Sequence, residues 1–236
     1  LILTPWQAYY MGVSQQFITS LGIPPEKQRF RAHLPNERAH YSAQTYDHEA
    51  LLEWGWLEVA GHAYRTDYDL KARKDVQEPT VLRLDGTRYV PHVVEPSFVL
   101  DRLFYVTLEF AYKRKGKRNI LSIPRMLVPT QIQVNPLVSR DGLPKKAREI
   151  HEILRKYGYA STFDDSGSIG RRYARADEIG IPLSITIDYQ TLEDNSVTIR
   201  DRDTWNQVRT QIQDLNLNLR GYFEDNLDVL DLGLKL

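Results

Sequence analysis

The chain has 236 residues, 31 basic against 31 acidic, and no cysteine. That balance excludes a surface coated throughout for nucleic acid, though not a local basic patch. The absent thiols exclude disulfides and thiolate metal centres and point to an intracellular address. No apolar run approaches the roughly 18 residues of a membrane span, and no signal-peptide pattern opens the chain. The first residues, LILTPWQAYY, are apolar and lack methionine, so Leu1 reads as the cut edge of a longer polypeptide.

The fold class expected is α/β, in two domains. Residues 1–118 read as mixed α and β with aromatic strands. The stretch from Trp54 to Leu70 is rich in β-formers broken by Gly55 and Gly61, and Arg88 to Phe98 gives a second strand entering a proline turn. A helix is predicted next, because Leu100, Leu103, Phe104, Thr107, Leu108 and Ala111 fall at helical spacing. It ends in KRKGKR, Lys113 to Arg118, whose charge and glycine predict a solvated link between domains rather than a dedicated RNA site. Residues 119–236 follow a cleaner alternation of strands and helices. Leu143, Ala147, Ile150, Leu154 and Tyr157 share a helix face, with Pro144 in the first turn and Gly158 as the stop. YASTF makes a short strand. LSITID and SVTIR alternate with period two, and DTWNQVRTQI is expected to close as a helix capped by Asp203 or Thr204. The tail, GYFEDNLDVLDLGLKL, reads equally as a docking helix or a mobile end.

The stretch DDSGSIGRRYARADEIGIP, Asp164 to Pro182, concentrates arginine behind a glycine-serine loop. Ile169, Tyr173, Ala176 and Ile179 form its expected buried stripe, leaving Arg171 and Arg175 four apart on another face with Arg172 beside them. Two readings stand. Guanidinium groups at a helix start fit the phosphates of a nucleic acid. The same groups could equally pair with Asp164, Asp165, Asp177 or Glu178. Arg200 and Arg202, in TIRDRDT, alternate with acids at a strand end and carry the same ambiguity.

That stretch, together with TIDYQTLEDNSVTIRDRD, RAHLPNERAHYS, GHAYRTDYDL and HVVEPSF, resembles the glycyl-tRNA synthetases of the archaeal and eukaryotic kind, in family order from about Trp6 to about Gln213. The resemblance implies that residues 1–118 are the later part of a class II catalytic domain, built on an antiparallel sheet. Residues 119–236 would be an anticodon-binding domain with a mixed sheet flanked by helices. It implies a glycine–tRNA ligase that forms glycyl adenylate from glycine and ATP, with Mg2+, and transfers glycyl to tRNA(Gly). A cytoplasmic protein with no membrane partner, homodimeric at full length, would follow.

By the same resemblance Glu95 holds the glycine ammonium and Ser97 contacts bound glycine. A carboxylate at a strand end suits that cation; the plain alternative is an exposed strand-end acid. Arg102 matches the motif 3 arginine that contacts ATP. A cation in the first turn of a helix is disfavoured by the helix dipole, which argues for a ligand anion there. Arg65 matches a further ATP-site arginine, and Glu58 the acid near ATP and its magnesium. Arg171, Arg172, Arg175, Arg200 and Arg202 become the tRNA-binding set. No side chain is assigned as a nucleophile or a direct metal ligand, since positioning and charge neutralisation serve this chemistry.

Three departures from the family pattern bear on activity. Class II motifs 1 and 2 are not found in this stretch, so the segment by itself is not expected to form glycyl adenylate. Val99 stands where the family has glycine after PSF, and KARKD stands where a histidine is expected after YDL. These features keep a second function class open, a truncated paralogue that binds tRNA or another structured RNA without catalysis. A third, a protein-interaction accessory, rests on fold analogy alone.

Overall fold

The computed structural model describes residues 4–72 and 81–236, so Arg73–Asp75 of KARKD lie outside the described residues. The chain divides into two units, Leu1–Glu109 and Phe110–Leu236, a division that falls before the basic run rather than after it. Among the described residues no helix is long and apolar enough to cross a membrane.

The first unit runs α1 (Pro5–Ser20), β1 (Gln28–Ala32), β2 (Gln44–Leu52), β3 (Gly55–Thr66), α2 (Tyr68–Ala72), β4 (Val81–Leu82), β5 (Arg88–Tyr89), β6 (Val93–Phe98) and α3 (Leu100–Ala111). Strands β1-β2-β3-β6 form one antiparallel sheet in that order. Pro96 is tolerated in β6 because β6 is the sheet edge and owes no ladder bond on its outer side. Helix α1 covers one face. Thr4 caps it through a bond from the Gln7 amide, Pro5 occupies its first turn, and Gln7, Met11, Ser14 and Ile18 are its buried residues. Half of that buried stripe is polar, and each polar member has a partner. Gln7 donates to the His62 carbonyl at 3.0 Å, and Ser14 bonds His48 Nδ1 at 2.9 Å. Helix α3 lies where its spacing predicts, but its buried face is Leu103, Val106, Thr107 and Ala111, leaving Leu100 and Phe104 exposed.

The second unit runs β7 (Tyr112–Lys115), β8 (Arg118–Leu121), β9 (Ile132–Pro136), α4 (Leu143–Lys156), β10 (Ser161–Phe163), α5 (Ile169–Glu178), β11 (Leu183–Ile187), α6 (Tyr189–Asp194), β12 (Ser196–Asp201), β13 (Gln207–Gln211), α7 (Leu215–Phe223) and β14 (Leu234–Lys235). Its six-stranded sheet is ordered β10-β9-β11-β12-β13-β14. Strand β9 pairs in parallel with β10 and β11, through crossovers carried by α4 and α5, and the remaining pairs are antiparallel. One sheet face is apolar. Ile132, Val134, Leu183, Ile185, Ile187, Val197, Ile199 and Val208 meet Leu143, Ala147, Ile150 and Leu154 of α4 and Leu215, Leu219 and Tyr222 of α7 in a single core. Tyr157 ends α4 and is exposed, so it does not join the stripe.

The opposite face of this sheet is polar yet buried. Gln133, Asn135, Ser184, Thr186, Thr198 and Arg200 lie beneath α5, whose buried residues are Arg172, Ala176 and Asp177. The expected stripe therefore fails at Ile179, which is 60% exposed. Tyr173 is half-buried, its hydroxyl bonded to Thr186.

Two further expectations are corrected. DTWNQVRTQI holds strand β13 rather than a helix, because Val208 and Thr210 alternate with Arg209 and Gln211 and pair with β12. Asp201 Oδ1 accepts from the amides of Asp203 and Thr204 and turns the chain. KRKGKR is a hairpin rather than a link: β7 and β8 pair in register across Gly116, whose φ of +62° suits a tight turn. The tail docks. Val229 and Leu232 enter the core, and β14 adds to the sheet edge.

Candidate functional site

The first-unit face opposite α1 is given over to charge. Register places Asp47 opposite Gly61, Gly61 opposite Ser97, and Ala63 opposite Glu95. Two small residues thus floor the middle of the face, and the polar side chains of β2 and β6 flank them. A β-bulge between the pairs His48–Ala60 and Glu49–Glu58 leaves Val59 unpaired and reverses the alternation of β3 there. The bulge puts Glu58 on the same face as Gly61, where a Cβ built on Gly61 would lie 3.8 Å from Glu58 Oε1. An open pocket of about 280 Å³ results, lined among others by Tyr41, Asp47, Glu58, Glu95, Ser97 and Val99.

Each candidate carboxylate in that pocket is held by one arginine. Arg65 donates to Glu95 Oε2 at 2.5 Å and to both oxygens of Asp69, and its guanidinium lies 4.0 Å over the Tyr41 ring. Hydrogen bonds to Asp69 and Glu95 push its pKa above the ordinary arginine value, so its charge is permanent. Arg102 donates to Glu58 Oε2 at 2.9 Å and to the Glu58 carbonyl at 3.0 Å. The second oxygens, Glu95 Oε1 and Glu58 Oε1, accept no hydrogen bond among the described residues, and neither does Ser97 Oγ. The structure thus brings together Glu58, Glu95 and Ser97, with Arg65 and Arg102 as their immediate partners. Among the described residues, no group of three or more His, Asp or Glu side chains is placed to hold a metal ion.

The pocket has an outer wall that the motif reading did not single out. Arg31 bonds Asp47 at 2.7 Å and Glu49 at 3.2 Å, Arg29 bonds Glu49 at 2.5 Å, and His33 meets Asp47 at 2.7 Å. Hydrogen bonds to Asp47 outweigh the cost of burial and raise the Arg31 pKa. Asp47 and Glu49 are 5% and 7% exposed. The signal was the i, i+2 spacing of two acids in YDHEALL, matched by Arg29 and Arg31 in QRFRAH.

In the second unit the arginines fall into two groups. Arg172 is 2% exposed and donates to the carbonyls of Pro136, Asp165 and Gly167. Arg200 makes a two-bond pair with Asp177, at 2.8 and 3.0 Å, and both are buried. Arg202 is buried, donating to the carbonyls of Gly180 and Ile123 and to Asp203. All three are turned inward, Arg172 and Arg200 in the polar layer under α5 and Arg202 at the Gly180 and Ile123 carbonyls, and none offers a guanidinium to solvent. Arg175 is exposed but bonds Asp164 at 2.6 Å. Arg171 is exposed, and its guanidinium has no ion-pair or hydrogen-bond partner among the described residues.

Against known proteins, the family described as "Anticodon binding domain" matches residues 131–220. Glycine–tRNA ligases match nearly the whole chain. That of Aeropyrum pernix is 38% identical over 98% of this chain and 53% of its own length. That of Archaeoglobus fulgidus is 34% identical over 96% and 53%, and that of Methanocaldococcus jannaschii 33% over 88% and 50%. Over most of its length the chain is similar to glycyl-tRNA synthetases. It spans about half the length of the curated relatives it matches. The Aeropyrum alignment runs over 308 positions, more than this chain's 236 residues, so that synthetase carries insertions relative to this chain within the aligned span. The fold agrees: a prolyl-tRNA synthetase from Cryptosporidium parvum, solved with L-proline and AMP, superposes with a TM-score of 0.67 over 93% of this chain and 47% of its own, at 17% identity. The two chains share their fold, and the match to the anticodon-binding family falls within the second unit.

Proposed function

We propose that this chain supplies part of the amino-acid and ATP pocket, and the anticodon-binding domain, of a cytoplasmic glycine–tRNA ligase. The alignment of 98% of the chain to the Aeropyrum ligase carries the reading. The pocket supports it: Glu95 keeps Oε1 for the glycine ammonium while Arg65 fixes Oε2, and Ser97 stands opposite Gly61 where bound glycine would sit. In this arrangement Arg65 acts as a positioning residue for Glu95. Arg102, with Glu58 beside it, would meet the ATP phosphates, and the remaining oxygen of Glu58 would stand toward the magnesium that neutralises their charge. Fixed charges of this kind stabilise a transferring phosphoryl group without a side-chain nucleophile. Val99 lines the same pocket and narrows it. tRNA(Gly) meets the second unit at Arg171, with Arg175 free to exchange Asp164 for a phosphate. Two copies of the full gene product form the working dimer.

The test is glycine-dependent ATP–pyrophosphate exchange by the full gene product. Glu95→Gln keeps the shape and removes the charge that meets the ammonium. Its KM for glycine should rise at least about 100-fold, the cost of a charge-assisted bond of roughly 3 kcal/mol. The KM for tRNA, read from aminoacylation by the same protein, should stay within about twofold, well inside 1 kcal/mol. Equal effects on both substrates would refute the assignment and make Glu95 a structural residue.

A further inference from the structure

The β7–β8 hairpin lies outside the residues matched by the anticodon-binding family. It carries five cations and no acid in a chain of zero net charge. Its two faces differ. Directly paired residues share a face, so the pairs Lys113–Ile120 and Lys115–Arg118 form one side and Tyr112–Leu121 and Arg114–Asn119 the other.

The first side is the anchor. Ile120 is buried at 3% exposure. Lys115 donates to the carbonyls of Asp203 and Thr204 and sits 4.2 Å from the centre of the Trp205 ring. Arg118 reaches the Gly170 carbonyl at 3.3 Å and Asp177 at 3.5 Å. The C-terminal end of α5 closes the seat. Gly180, at φ +86°, lies so near the Leu121 carbonyl that a Cβ would approach it to 3.1 Å. Two of the five cations are therefore spent on holding the hairpin to α5 and to the turn at Trp205.

The second side is presented outward at Tyr112, Arg114 and Asn119, while its Leu121 turns to Gly180. Tyr112 is 58% exposed, and its hydroxyl donates to Asn119 Oδ1 at 3.1 Å. Arg114 and Lys117 are exposed, with no carboxylate within 4 Å among the described residues. An exposed ring between a guanidinium and an amide, with an ammonium at the turn, combines a stacking platform with backbone charge contacts. A rigid mount also reduces the ordering cost of binding. We propose that this face is a second RNA-contact site, in which Arg114 and Lys117 hold two phosphates and Tyr112 stacks an unpaired base of the same tRNA that the anticodon-binding domain engages. The inference rests on the tRNA reading above, and charge complementarity selects RNA as the occupant.

The test follows binding of a tRNA(Gly) transcript to the whole chain across a salt series. Arg114→Ala with Lys117→Ala should weaken binding at least about 10-fold and lower the slope of log affinity against log salt by about 1.4 to 1.8, the release of two phosphates' counterions. Tyr112→Ala should cost about 10-fold with the slope unchanged, and Tyr112→Phe should recover most of it. All of these positions are exposed, so the thermal midpoint should not move. If the wild type binds, Arg171→Ala lowers the slope and the hairpin variants do not, the hairpin inference is overturned and the anticodon-domain reading stands. If the wild type does not bind, both fall. If the hairpin variants change the sedimentation of the free chain but not its RNA affinity, the face is a protein contact and the inference is overturned.

Discussion

Arg172→Ala should cost the second unit about 3–5 kcal/mol of stability, the range for removing one partner from a buried charged network. The guanidinium lies at 2% exposure and pairs with no carboxylate within 4 Å among the described residues. Its burial is compensated by the carbonyls of Pro136, Asp165 and Gly167 and by Ser139 Oγ. Deleting the side chain leaves those acceptors dry and opens a cavity under α5. Arg172→Leu refills the volume but supplies no donor, so it should recover less than half of the loss. Arg172→Lys keeps the charge on a single ammonium, which cannot span the end of β9 and the loop before α5 as a fork does. Hydrogen exchange resolved along the chain is the measurement, because a two-unit protein does not unfold in one step. A loss below about 1 kcal/mol in β9 and α5 would show the carbonyls finding other donors. On the proposed function the same variant should also weaken tRNA binding, since Arg172 fixes the loop that leads into α5 and Arg171 without itself reaching solvent.

The first unit should fail in mild acid while the second stays folded. His48 and His62 are fully buried between α1 and the sheet, with rings 6.4 Å apart. Burial lowers both pKa values to about 4, and for His48 the neighbouring His62 adds to the effect. Neutral His48 is satisfied: Nε2–H donates to Gln28 Oε1, and Nδ1 accepts from Ser14. His62 has no hydrogen-bond partner on either ring nitrogen among the described residues. The folded pKa lies below the unfolded value of 6.5, so the unfolded chain binds the extra protons. The contribution is therefore complete above pH 6.5 and is lost as pH falls toward 4. A shift from 6.5 to about 4 corresponds to about 3 kcal/mol for each ring, and the pair together to somewhat less than twice that because the shifts are coupled. A domain of this size has about 5–15 kcal/mol in all. His62→Leu removes both the proton site and two orphaned nitrogens. It should flatten the stability of β2 and β3 between pH 6.5 and 4 and raise it at pH 4. Equal acid sensitivity of wild type and variant would place the titrating group elsewhere.

Much of the second unit was legible because its elements are strongly periodic. Leu143, Ala147, Ile150 and Leu154 mark α4 at helical spacing, and Leu183, Ile185 and Ile187 mark β11 at period two. The polar members of the same strands misled. Ser184, Thr186, Thr198 and Arg200 have the spacing of a wet face, yet α5 roofs them. A one-dimensional pattern cannot tell a buried polar layer from solvent, which is why Arg172, Arg200 and Arg202 looked available for RNA. Helix α1 lacked a signature for a related reason, because Gln7 and Ser14 take half of its buried positions while Trp6 and Tyr9 stay exposed. In the first unit, motif resemblance pointed to Glu58, Glu95 and Ser97 one by one. Their meeting in one pocket depends on strand register and on the bulge at Val59, neither of which has a signal in local composition.

Trp205 gives the second unit a built-in optical gauge. Three of the chain's four tryptophans, Trp6, Trp54 and Trp56, belong to the first unit, so Trp205 is the sole indole of residues 110–236. Its ring is flanked by Lys115 and by Arg118, whose guanidinium lies 5.3 Å from it. Cations against an indole shift its emission colour, so any lifting of the hairpin from its seat registers as a spectral change. With Trp6, Trp54 and Trp56 replaced by phenylalanine, the remaining emission would follow the hairpin in real time, without a dye.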